Sequence, residues 1–205
     1  APAPAKTEAF AVETFAAGDT NGAAFQFLPD GRILLAEKNG RLHIIGKDGA
    51  IAAPLAGMPS NMFTMGQALF NAQPDKGFAS NRTIYIAYAV LPAGADPSKQ
   101  RSPAHVHIAS ARISADDTRL EGVKDLLDAE GTGGRVIQGN DGTLFIETSV
   151  PAGLGILSSD WMQPQQLDSL MGKVLRINSD GSIPKDNPFV GKAGARGEIH
   201  ALGFR

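Results

Sequence analysis

The stretch that decides the fold is Met171 to Phe189, MGKVLRINSDGSIPKDNPF. Val174, Leu175 and Ile177 form an apolar run flanked by Lys173 and Arg176, and the turn pair Asp180-Gly181 follows. The segment therefore predicts a buried strand running straight into a hairpin. Pro184 and Pro188 bar a helix beyond it, because proline has no amide hydrogen and clashes with the preceding turn. The same turn pair recurs at Asp30-Gly31 and Asp141-Gly142 in similar apolar settings. Such weak internal self-similarity is what stacked β-blades leave in a sequence.

Working outward, Phe25 to Ile45 reads as two hairpins end to end, the first turning at Pro29-Asp30-Gly31 and the second at Asn39-Gly40. Thr83 to Val90, TIYIAYAV, has the β-branched and aromatic content of a central strand, and His105 to Ile113 is another strand. Val136 to Glu147 predicts a hairpin about Asn140-Asp141-Gly142. Pro54 to Met65 and Leu91 to Pro103 read as loops, residues 1 to 7 as a flexible lead-in, and Phe10 to Phe15 as strand-like alternation. Only Pro164 to Met171 could make a helix, of two turns at most. The fold class expected is all-β.

The 205 residues are 42% hydrophobic and 20% charged, the composition of an ordinary globular chain. With a net charge of −2 and no basic stripe, neither nucleic acid nor an anionic membrane is expected as a partner. No apolar run approaches the roughly 18 residues of a membrane span. Zero cysteine excludes disulfides, thiolate metal sites and thiol nucleophiles. Ala1-Pro2-Ala3-Pro4-Ala5 reads like the tail left by a removed secretory signal, which predicts a periplasmic or secreted protein.

The order Met-Gly-Lys-Val-Leu-Arg-Ile-Asn-x-Asp-Gly-Ser-Ile-Pro-x-Asp-Asn-Pro, with Gln165 to Asp168 before it and Glu198 to Arg205 after it, resembles the soluble quinoprotein glucose/sorbosone dehydrogenases. Phe27 to Gly40 and Asn81 to Tyr85 fit the same family's phrases. The resemblance implies a six-bladed β-propeller, with pyrroloquinoline quinone (PQQ) and calcium as the family's cofactors. At roughly 50 residues per blade, this chain supplies about three blades. It is expected to be the N-terminal half of one propeller domain over 1–205, ending in mid-motif at Arg205, with a second chain completing the ring as partner.

The resemblance fails where the family does its chemistry. Its catalytic histidine, which accepts the substrate's hydroxyl proton, stands two residues before the first glycine of a Gly-Gly-Arg frame. Here Gly133-Gly134-Arg135 keeps the frame, and the histidine position is Gly131. The aspartate that orients the histidine is replaced in Thr148-Ser149-Val150 by Val150. Loss of a general base typically lowers a rate by roughly 10²- to 10⁴-fold. Gly203-Phe204-Arg205 departs too, although it keeps, as Arg205, the arginine that would face the quinone. Gln67 corresponds to a pocket glutamine if a gap is opened in Gly66-Gln67-Ala68-Leu69; without the gap Thr64 falls nearest.

Other residues are read from their own settings. Glu147 interrupts an apolar strand just before a loop, and a partly desolvated carboxylate there is the candidate acid or base. Trp161, the only tryptophan, closes the apolar loop Ala152 to Trp161 and could stack on a sugar over a funnel. His105 and His107 share a strand face, but no third ligand is near in sequence, so no metal site is assigned. His43 is expected to point outward from a hairpin, and His200 to pack.

Three functions stay open on these grounds. The first is an enzyme doing proton-transfer, hydrolytic or elimination chemistry on a small ligand in the funnel, with no assigned cofactor. The alternatives are a PQQ-dependent dehydrogenase of sugars or other alcohols, and a non-catalytic binding module.

Overall fold

The structure, a computed structural model, describes residues 10–18, 20–63, 66–91, 94, 105–150 and 159–204, with only the backbone described at 159–161. Among the described residues, eleven strands form three antiparallel sheets. The first holds β1 (Gly22–Phe27), β2 (Ile33–Glu37) and β3 (Leu42–Ile45), in that order. The second holds β4 (Leu69–Pro74), β5 (Thr83–Val90), β6 (His105–Ile113) and β7 (Leu120–Glu130). The third holds β8 (Thr132–Gln138), β9 (Leu144–Ser149), β10 (Lys173–Ile177) and β11 (Ile199–Leu202). Each sheet is a meander in chain order, and β1, β4 and β8 lie side by side as inner strands. This is the arrangement of three consecutive propeller blades.

Blade-to-blade packing supplies the core. One apolar cluster joins blades one and two through Leu34, Leu42, Leu69, Ile84, Ile86 and Ile113; another joins blades two and three through Val106, Ile108, Val136, Ile146, Leu170 and Leu175. Truncating one such leucine or isoleucine to alanine costs about 2–5 kcal/mol. Because β5 lies between two blades, its residues from Ile84 to Ala89 are all buried, which explains why that run carries no polar alternation.

The Asp-Gly turns behave alike. Gly31, Gly142 and Gly181 have φ of 88°, 83° and 92°, the left-handed region where glycine has no Cβ to clash. In each turn the aspartate carboxylate accepts the amide two residues on, at Arg32, Thr143 and Ser182. The third turn does not lead directly into a paired strand as the sequence predicts. β10 pairs instead with β11, after a loop through Pro184 and Pro188. The buried Asn187 organises that loop, its side-chain amide donating to the carbonyls of Arg176 and Gly197.

Three further local expectations are corrected. Phe10 to Phe15 forms no strand in this chain, and Phe10 and Val12 are exposed. The helical turn lies at Ser159–Gln165, as a 3-10 helix that overlaps the expected Pro164–Met171 only at Pro164 and Gln165. His43 points inward: it is buried, Nδ1 lies 2.9 Å from the Ala52 carbonyl, and Nε2 lies 3.6 Å from the buried Glu37 carboxylate. A pairing partner from the adjoining residues 51–55 covers β3 and removes the outward face that alternation implied.

Candidate active site at the head of blade three

Gly131 joins β7 to β8 with φ of 111°. A Cβ added there would lie 2.5 Å from the Ser149 carbonyl oxygen and 3.4 Å from Met171 Cγ. Gly133 and Gly134 also have positive φ, 89° and 111°. A Cβ on Gly134 would strike Val106 of blade two at 2.6 Å, so the glycines let the inner strand approach both its own blade and the neighbouring one.

Over Gly133 lies the Glu147 carboxylate, whose oxygens would be 3.0 and 3.1 Å from an added Cβ. Glu147 is exposed rather than partly desolvated as the sequence predicts, because β9 turns it toward the open face of blade three. There it lines a hollow of about 420 Å³ with Arg135, Ile137, Phe145 and Val174. His200 packs on the Phe145 ring edge-on, at 5.2 Å between centroids.

Gln67 lies at the corresponding end of blade two. Phe70 meets Gly134, Asn71 bonds Val136, and Lys76 bonds Gln138 and Asn140, so β4 and β8 run in the same sense. Gln67 and Gly131 thus stand at the same end of adjacent inner strands. The Gln67 side chain is exposed and, among the described residues, reaches only the Leu69 carbonyl, at 3.5 Å. Thr64, Arg205, residues 151–158 and the Trp161 side chain lie outside the described residues.

Sequence reading missed Lys173, which is fully buried. Its ammonium donates to the carbonyls of Gln163 and Met171, both at 2.7 Å, tying the 3-10 turn to the foot of β10. Burial lowers its pKa to about 8, against the pull of Asp168 and Glu130. The available signal was a lysine set between Met171-Gly172 and Val174-Leu175, on a strand otherwise destined for the core.

The two histidines of β6 also find company. Asp128, opposite His107 on β7, places Oδ1 at 2.5 Å from His105 Nδ1 and 3.3 Å from His107 Nε2.

The third blade carries the Gly-Gly-Arg frame, and residues 20–205 match the sequence model of Glucose / Sorbosone dehydrogenase. The chain belongs to the glucose/sorbosone dehydrogenase family. It is 30% identical over 188 residues to the aldose sugar dehydrogenase YliI of Escherichia coli, covering 89% of this chain and 47% of that protein. A glucose dehydrogenase crystal structure superposes with a TM-score of 0.80 at 28% identity, over 94% of this chain and 54% of the other. The PQQ-bound aldose sugar dehydrogenase of Streptomyces coelicolor shares the fold, with a TM-score of 0.71 at 20% identity over 92% of this chain and 52% of the other. The chain therefore spans about half the length of the relatives it matches.

Tested against the quinone that the resemblance implies, the described residues fit poorly. Gly131 has neither a side chain to accept a proton nor room for a Cβ, and Val150 has no carboxylate.

Proposed function

We propose that this glucose/sorbosone dehydrogenase-family propeller binds a small polar ligand at the head of its blades and performs proton-transfer chemistry with Glu147 as acid or base, not quinone-dependent sugar oxidation. The observation that carries the reading is the backbone at Gly131. At φ of 111°, with the Ser149 carbonyl occupying the space a Cβ would need, the chain is shaped for glycine at the position where the resemblance implies histidine. Glu147 reaches the bare backbone of Gly133, two residues further on, and supplies a carboxylate at the same head of the blade. Blades one and three leave apolar side chains uncovered, so under the same proposal further blades cover them.

The family match itself favours the competing reading, a PQQ-dependent aldose oxidation like that named for the E. coli relative. Reconstitution of the protein with PQQ and calcium, followed by ultraviolet-visible spectroscopy and a dye-linked aldose assay, separates the two. No turnover is expected. Robust turnover would overturn the proposal.

A further inference from the structure

Independently of the head of blade three, the outer strands of blade two carry a second cluster. His105 and His107 alternate on β6, so both rings leave the same face, and the antiparallel register sets Asp128 of β7 directly opposite His107. Sequence separation hid this carboxylate as a third ligand; the register supplies it. One ligand atom from each of the three residues lies within 4.8 Å of the others. The geometry points to a transition-metal site here, for Zn²⁺ or an ion of similar preference, formed by His105, His107 and Asp128.

Around a tetrahedral zinc with ligand bonds of about 2.0–2.2 Å, neighbouring ligand atoms stand roughly 3.3–3.5 Å apart. The 3.3 Å between His107 Nε2 and Asp128 Oδ1 already matches. The shorter His105 contact needs only a small movement of the carboxylate, which is about half exposed and free to turn. Two imidazoles and one carboxylate suit zinc, copper or nickel, whereas calcium and magnesium prefer sets of oxygens alone. Three protein ligands leave a fourth position for water.

The surroundings hold the site in place. The Tyr88 ring packs against His107 at 5.6 Å between centroids, and its hydroxyl donates to Asp125 at 2.9 Å. Asp125 and Glu130 add negative charge along β7, only partly offset by Arg196 beside Glu130. His107 Nδ1 is buried with no hydrogen-bond partner among the described residues, so on that side the ring is placed by packing. Placement by packing is what fixes a ligand before an ion arrives.

The test uses the protein dialysed against EDTA and titrated with Zn²⁺ by calorimetry, beside thermal melts with and without the ion. One equivalent is expected at micromolar affinity, with a raised melting temperature and no response to Ca²⁺ or Mg²⁺. His105→Ala and Asp128→Asn should each weaken binding at least about tenfold and abolish the thermal shift. Both residues are partly exposed, so the variants keep the fold, checked by circular dichroism; His107→Gln repeats the test nearer the core. Millimolar binding only, or micromolar binding unchanged in His105→Ala and Asp128→Asn, would overturn the site.

Discussion

The Asn71 side chain closes on both backbone groups of Val136, its nitrogen donating to the carbonyl oxygen at 2.9 Å and its oxygen accepting from the amide at 3.0 Å. A carboxamide carries the donor and acceptor of a peptide group. Asn71 thus serves as a single rung between the inner strands of blades two and three, which belong to separate sheets. The side chain is buried at 1% exposure, so water cannot replace it.

Removing the rung leaves a buried N–H and a buried C=O together. At about 1–3 kcal/mol per unsatisfied group, Asn71→Ala is expected to lose roughly 2–4 kcal/mol in urea unfolding. Asn71→Asp should lose at least as much, because a carboxylate oxygen would then face the Val136 carbonyl. A loss below about 1 kcal/mol in both variants would show that the rung is not needed.

Lys173 gives stability a pH dependence with a definite sign. Its folded pKa is lowered to about 8, below the 10.5 of an unfolded lysine, so between those values the unfolded chain binds more protons and stability rises with pH. Tyr85 and Tyr88 act in the opposite sense higher up: burial and their bonds to Asp75 and Asp125 push both phenols above 10. Above about pH 10 they ionise only on unfolding, and stability falls. Melts taken from pH 7 to 11 should therefore rise from about 8 to about 10 and then decline. Lys173→Met should lack the rise, and a wild-type curve flat from pH 7 to 10 would contradict the account.

The blades were legible where turn chemistry and apolar content coincide. Asp30-Gly31, Asp141-Gly142 and the run from Thr83 to Val90 locate parts of all three sheets. Three strands, β4, β7 and β11, escaped, the first two because their polarity comes from their place in the ring. β4 carries Asn71 and Gln73, and Asn71 answers the neighbouring blade's backbone; β7 is an outer strand whose middle, Gly122 to Asp125, faces solvent. The glycine at 131 was visible as a departure from the family phrase, but not its φ, which depends on Ser149 arriving from β9. The partnership of Asp128 with His105 and His107 needed the β6–β7 register, and no local pattern encodes that.

At Gly131 the backbone and the missing side chain make one prediction together. Gly131→Ala should cost more than about 1 kcal/mol, from the left-handed conformation and the 2.5 Å approach to the Ser149 carbonyl. Gly131→His should be no better tolerated and should not restore dye-linked sugar oxidation, because Val150 offers no carboxylate to orient an imidazole. Activity restored by Gly131→His alone would show that the loop can readopt the geometry of an active relative.

The last prediction concerns the two open ends of the blade stack. On blade one Phe25 and Phe27 are 59% and 68% exposed and meet edge-to-face at 6.0 Å between centroids; on blade three Ile137 is 51% exposed beside Phe145 and Val174. Between blades, equivalent faces form the two apolar clusters of the core, so these ends are built to be covered. The relatives are about twice as long, which is the length three more blades require. The 21.4 kDa chain alone is therefore expected to self-associate or aggregate in size-exclusion chromatography, and to run as one complex when the completing half is present. Phe27→Glu or Ile137→Glu should improve the solubility of the isolated chain while weakening that complex, since a charge would be buried at the seam. A folded, monomeric species at 21.4 kDa with no affinity for the completing half would refute this reading of the ends.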